Sequence, residues 1–78
     1  MAKNKSPEQI VSKLLSDLEK IRHAKGLSHE KLATLAGIHR STVSLIENKK
    51  RVPTILTCLK LCQALNVRLD DILRKIQP

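Results

Sequence analysis

Residues 29–48, HEKLATLAGIHRSTVSLIEN, decide the fold. Apolar side chains fall at Leu32, Ala36, Ile38, Val43 and Ile46, with small Ala33 and turn-forming Gly37 between them. This spacing predicts a short amphipathic helix, a tight left-handed turn and a second amphipathic helix packed across the first. A side chain larger than Ala33 would hold the two helices apart. Gly37 stands where the turn requires φ > 0, which glycine adopts without steric cost. The predicted unit is a helix-turn-helix, spanning residues 29–48, whose second helix can lie in the major groove of DNA.

The rest of the composition narrows the partner. Seventy-eight residues make one domain, 1–78, with no room for a second core. The chain has no Phe, Tyr or Trp, so its interior must be built from Leu, Ile, Val and Ala. Single-stranded nucleic acid and unpaired RNA are commonly held by stacking bases on aromatic rings, so single-stranded RNA is not an expected partner. Duplex DNA, read through grooves and phosphates, needs no such rings. A net charge of +8 favours a polyanion, although surplus lysine also serves plain solubility.

Working outward from the central stretch, the pattern gives five helices and no competing strand. The first begins at Ser6, a cap followed by Pro7 and by Gln9 in the capping-box position. Its apolar stripe is Ile10, Val11, Leu14, Leu15, Leu18 and Ile21, and Gly26 ends it. Ser28 caps the second helix, with Glu30 in its first turn complementing the helix dipole. The third runs from about Arg40 to Asn48, followed by the basic loop Lys49, Lys50, Arg51 and Val52, closed by Pro53. Thr54 caps a fourth helix with a predicted inward face of Ile55, Leu56, Leu59, Cys62 and Leu65, and Asn66 takes the left-handed position after it. A fifth, short helix has Asp70 and Asp71 near its start and Leu69, Ile72, Leu73 and Ile76 as its apolar set. Residues 1–5 are expected to form a disordered N-terminal tail.

The segment GLSHEKLATLAGIHRSTVSLIENKKRVPTILTCLKLCQALNV resembles the phage repressor and Cro type (XRE) of helix-turn-helix regulators, over roughly residues 18–73. The likeness rests on Ala33 and Gly37, on Glu47 closing the third helix, on the basic loop ending in Pro53, and on the Leu65, Asn66, Val67 exit from the fourth. The resemblance implies an all-α, lambda-repressor-like domain of five helices, with helices two and three forming the motif. It implies sequence-specific binding of duplex DNA and transcriptional control, commonly repression by a homodimer on a palindromic operator. It also implies an ion pair between Arg22 and Glu47. Two places depart from the family: His29 stands where glutamine is common, and His39 where Ser or Thr usually caps the recognition helix.

Candidate contacts follow from residue chemistry. Between its apolar positions the recognition helix presents Arg40, Ser41, Thr42, Ser44, Leu45 and Asn48. Arg40 can donate two hydrogen bonds to one guanine, a pairing worth about 1–3 kcal/mol of discrimination, or it can hold a phosphate. Ser41 and Ser44 suit bases or phosphates. Leu45 can touch a thymine methyl or pack at the helix edge, and Thr42 either reads a base or only covers the helix surface. Phosphate contacts are expected from Ser28 and His29 at the free amides opening the second helix, and from His39, Asn48, Lys49, Lys50 and Arg51.

One recognition helix reads too few base pairs for useful discrimination, so a dimer is expected. Leu69, Ile72, Leu73 and Ile76 are the candidate interface, the alternative being that some of them close the monomer core. Cys58 and Cys62, four apart on a helix, fit neither a disulfide nor a metal site and read as small apolar residues in a reducing cytoplasm. No metal or other cofactor is expected. With two glycines in the chain, a phosphate-cradling loop or dinucleotide fingerprint is excluded, and no nucleophile setting suggests an enzyme. Lys3 and Lys5 precede no apolar run, so no signal peptide is expected, and no stretch is long enough for a membrane span. Two other readings stay open: an antitoxin that binds a toxin and represses its own operon, and a controller of a restriction–modification operon.

Overall fold

The computed structural model describes residues 5–77, which form α1 (Pro7–Ala24), α2 (His29–Ala36), α3 (Arg40–Glu47), α4 (Ile55–Ala64) and α5 (Leu69–Ile76). No strand occurs among the described residues. Except for exposed Lys5, the tail expected over 1–5 lies outside them.

Local chemistry sets the helix ends. Ser6 Oγ accepts from the Gln9 amide at 3.2 Å while the Ser6 amide donates to Gln9 Oε1 at 2.9 Å, closing the expected capping box. Ser28 Oγ accepts from the Lys31 amide at 3.0 Å, and Thr54 Oγ1 from the Thr57 amide at 3.1 Å. Helix ends α1 to α4 are closed alike, by an amide donating to a carbonyl five residues back: Leu27 to Arg22, Ile38 to Ala33, Lys50 to Leu45 and Val67 to Cys62. The residue before each donor is left-handed: Gly26, Gly37, Lys49 and Asn66. Glycine takes that conformation freely, but Lys49, at φ +61°, holds it against the usual steric cost of a Cβ.

α2 packs against α3 and α4, while α1 lies across α3 and α5. The core gathers Leu14, Leu15 and Leu18 of α1 with Leu32, Ala33 and Ala36 of α2, Val43 and Ile46 of α3, and residues of α4 and α5. Ala33 is buried at the α2–α3 crossing, as its size requires.

α4 departs from its predicted orientation. Cys58, Leu61 and Cys62, with Leu65 at its C-terminus, face the core, whereas Ile55, Leu56 and Leu59 point outward. The cause is that α4 is apolar on more than one side. Two helical stripes were available, and docking against α2 and α5 selected the one with the small cysteines. Both thiols are free, and burial pushes both up from the ordinary cysteine value. They serve as core side chains.

α5 divides its apolar set. Ile72 and Ile76, four residues apart, are buried in the protomer's own core at 8% and 5% exposure, the alternative that the sequence left open for part of the candidate interface. Leu69 and Leu73 are half-buried and keep an accessible edge.

Candidate nucleic-acid interface

The motif turns between Ala36 and Arg40, with Gly37 at φ +70° and the Ile38 amide donating to Ala33 O at 3.0 Å. That closure directs α3 away from α2 and buries Val43 and Ile46 beneath it. The other side of α3 is thereby left outward. Arg40, Ser41, Ser44 and Leu45 join Ser28, His29 and Glu30 of the α2 start around one open cleft of about 610 Å³.

The structure therefore brings six of the sequence-predicted residues to one surface. Leu45 stays out of the core and lines the cleft. Thr42 is half-buried beside it and does not line it. His39 gives α3 no side-chain cap; its Nδ1 lies 3.0 Å from Ser41 Oγ instead. Asn48 Nδ2 donates weakly to Ser44 Oγ at 3.4 Å. Lys49, Lys50 and Arg51 are exposed beyond the helix. The Lys49 ammonium leans back to α1, donating to Ser12 Oγ at 2.8 Å. Lys49 and Arg51 flank a separate groove against Val11, Leu15 and Val52.

α3 is held at its C-terminal end by the pair that the family resemblance implied. Arg22 Nε donates to Glu47 Oε2 at 2.7 Å and Nη2 to Oε1 at 2.9 Å, while Nη1 donates to Leu27 O at 2.7 Å. Both side chains are nearly buried. Burial pushes the Glu47 carboxyl up, but the hydrogen bonds from Arg22 and His29 outweigh it and hold the group below the ordinary carboxylate value. The bond to Glu47 raises the Arg22 guanidinium further.

Two participants escaped sequence reasoning. His29, read only as a phosphate contact, sits with Nε2 2.8 Å from Glu47 Oε1 and joins the buried Arg22–Glu47 pair from its exposed side. No local signal links positions 29 and 47. Glu30, read only as a dipole partner for α2, lines the cleft itself. Its adjacency to His29 at a helix start was the available clue.

A family model described as Helix-turn-helix matches residues 18–72. The chain belongs to the XRE-type helix-turn-helix family. This helix-turn-helix protein is accordingly a DNA-binding transcriptional regulator. It is 36% identical over 55 residues to the uncharacterized HTH-type transcriptional regulator YgzD of Bacillus subtilis, covering 70% of this chain and 83% of that protein. It is 32% identical over 62 residues to the control protein C.SmaI of Serratia marcescens, covering 80% and 74%. The crystal structure of the restriction–modification controller protein C.AhdI from Aeromonas hydrophila superposes with a TM-score of 0.75 at 35% identity, covering 83% of this chain and 97% of that one. Among the described residues of this regulator, no helix is long and apolar enough to cross a membrane.

Proposed function

We propose that this regulator binds a two-fold symmetric operator in duplex DNA as a homodimer and represses transcription there, as a controller of a restriction–modification operon. The observation that carries the DNA reading is the shared cleft, in which an exposed arginine and two serines of α3 open beside the α2 start. Arg40, Ser41, Ser44 and Leu45 read base edges, with Thr42 at the margin. Ser28, His29, His39, Asn48, Lys49, Lys50 and Arg51 hold phosphates and set the register. The restriction–modification reading is supported by the likeness to C.SmaI and C.AhdI over most of their lengths.

The dimer forms through the outward face of α4. Ile55, Leu56 and Leu59 are exposed there, and Leu59 shares a groove with half-buried Leu69 and Leu73 of α5. A contiguous apolar surface of this kind suits a partner, and a second copy doubles the bases read. Half-sites then lie about 34–36 Å apart. Binding, not catalysis, is the activity, and the two free thiols suit a reducing cytoplasm.

Selection from a randomised duplex library tests the whole reading. Enrichment of an inverted repeat is expected. Enrichment of a single half-site, or sedimentation of monomer alone at high concentration with and without that DNA, would overturn the dimer. No enrichment, together with relief of a co-encoded toxin's effect, would favour an antitoxin.

A further inference from the structure

We propose that operator binding by this regulator takes up a proton on His29, whose ring joins an operator phosphate to the buried Arg22–Glu47 pair. The inference rests on the reading that the start of α2 faces a DNA phosphate.

The two ring nitrogens of His29 are in different situations. Nε2 lies 2.8 Å from Glu47 Oε1. Because Glu47 is held below the ordinary carboxylate value, it is an ionised acceptor, and Nε2–H must be the donor. Nε2 therefore carries its hydrogen whether the ring is neutral or charged. Nδ1 makes no hydrogen bond among the described residues, and the side chain is 40% exposed where it lines the cleft. A neutral ring in this tautomer turns a lone pair at Nδ1 toward any phosphate oxygen. A protonated ring turns an N–H toward it. The phosphate contact thus requires the proton.

The surrounding charges set the direction. From α3, Glu47 favours the imidazolium and Arg40, across the cleft, opposes it. From α1, Arg22 also opposes it, sharing Glu47 Oε1 at 2.9 Å. On α2, Glu30 favours the charge, while the helix N-terminus opposes it. A phosphate adds an anion with no further cation, so the bound state holds the proton more tightly. By reciprocity, a proton on the ring must raise operator affinity by the same factor.

His29 is a positioning residue in this scheme. Charging the ring also strengthens its bond to Glu47, the last residue of α3, so one proton fastens the phosphate-binding helix to the base-reading helix.

The test is titration of the full chain against the selected operator duplex from about pH 5.5 to about pH 8.5 at constant ionic strength, across the range in which imidazole titrates. Calorimetry in buffers of different ionisation heat runs alongside. Affinity should fall as pH rises, approaching about tenfold per half-site, the equivalent of a one-unit shift. Binding near neutral pH should show net proton uptake. His29→Gln keeps an amide donor for Glu47 and does not titrate, so it should flatten the pH dependence and abolish the uptake. His23→Gln, which changes an imidazole given no DNA contact, should leave the slope in place. An unchanged slope in His29→Gln, or no proton uptake by the unaltered chain, overturns the proposal. Failure of the unaltered chain to bind any selected duplex at any of these pH values overturns the operator reading instead.

Discussion

Arg22, in the last turn of α1, grips Glu47, the last residue of α3, through two parallel hydrogen bonds of 2.7 and 2.9 Å. Its remaining terminal nitrogen donates to Leu27 O, in the loop leading to α2. One guanidinium therefore ties together the scaffold helix, the α1–α2 loop and the end of the recognition helix. Removing one partner leaves the other charge buried and alone, which costs about 3–5 kcal/mol. Arg22→Met should lower stability by that amount in urea denaturation. The double replacement Arg22→Met with Glu47→Met should recover most of the loss, because an apolar pair leaves no stranded charge. Equal losses in the single and double variants would refute this account.

Acid should weaken the same joint. The folded state holds the Glu47 carboxyl below its value in the unfolded chain. Its contribution is present in full above the unfolded carboxylate range, about pH 4.3. It is lost as pH falls through the lower folded value. Unfolding free energy followed downward from neutral pH should drop in that acid window. Arg22→Met, which lacks the partner, should drop less steeply.

Gly37 and Lys49 share a left-handed backbone and make opposite predictions. A Cβ on Gly37 would meet nothing within 4 Å, so Gly37→Ala incurs conformational strain alone, about 1–2 kcal/mol. Lys49→Gly relieves the same strain at φ +61°, less glycine's own entropy cost of about 0.5–1 kcal/mol. A net gain of about 0.5–1 kcal/mol in thermal unfolding is expected. The exposed bond to Ser12 offsets little of it.

Base reading and phosphate holding should separate by substitution. Arg40→Ala should relax preference at one operator position by about 1–3 kcal/mol. Lys50→Ala should weaken specific and random duplexes alike and reduce the salt slope by about one. Competition binding at two salt concentrations distinguishes them. Equal losses on both kinds of duplex from both variants would contradict the assigned roles.

The outward α4 face gives a dimer test that leaves the fold intact. Leu56 is 59% exposed, so Leu56→Glu should preserve helicity and melting of the protomer while shifting sedimentation to monomer. Ile72→Ala, cut from the core, should instead cost about 2–5 kcal/mol of stability. A Leu56→Glu protein that remains dimeric would move the interface elsewhere.

Much of this architecture was legible in the amino-acid order. The caps at Ser6, Ser28 and Thr54, and the left-handed positions at Gly26, Gly37 and Asn66, all lie where the chain pattern puts them. Each depends on contacts within about five residues, which backbone geometry alone dictates. Lys49 was not legible as a left-handed residue, because nothing in a lysine announces it. The Arg22–Glu47 pair came with the family resemblance and not from spacing. The third partner, His29, came from neither.

By itself, then, the sequence determined five helices, a glycine turn between the second and third, and a recognition helix with Arg40, Ser41 and Ser44 on its polar side. Only the tertiary structure decided which stripe of α4 is buried, that Ile72 and Ile76 close the core, and that Glu47 is shared between Arg22 and His29. The division has one physical cause. Helix period and caps arise from neighbours along the chain, whereas the choice between two apolar stripes, or of a carboxylate eighteen residues away, depends on the angles at which helices dock.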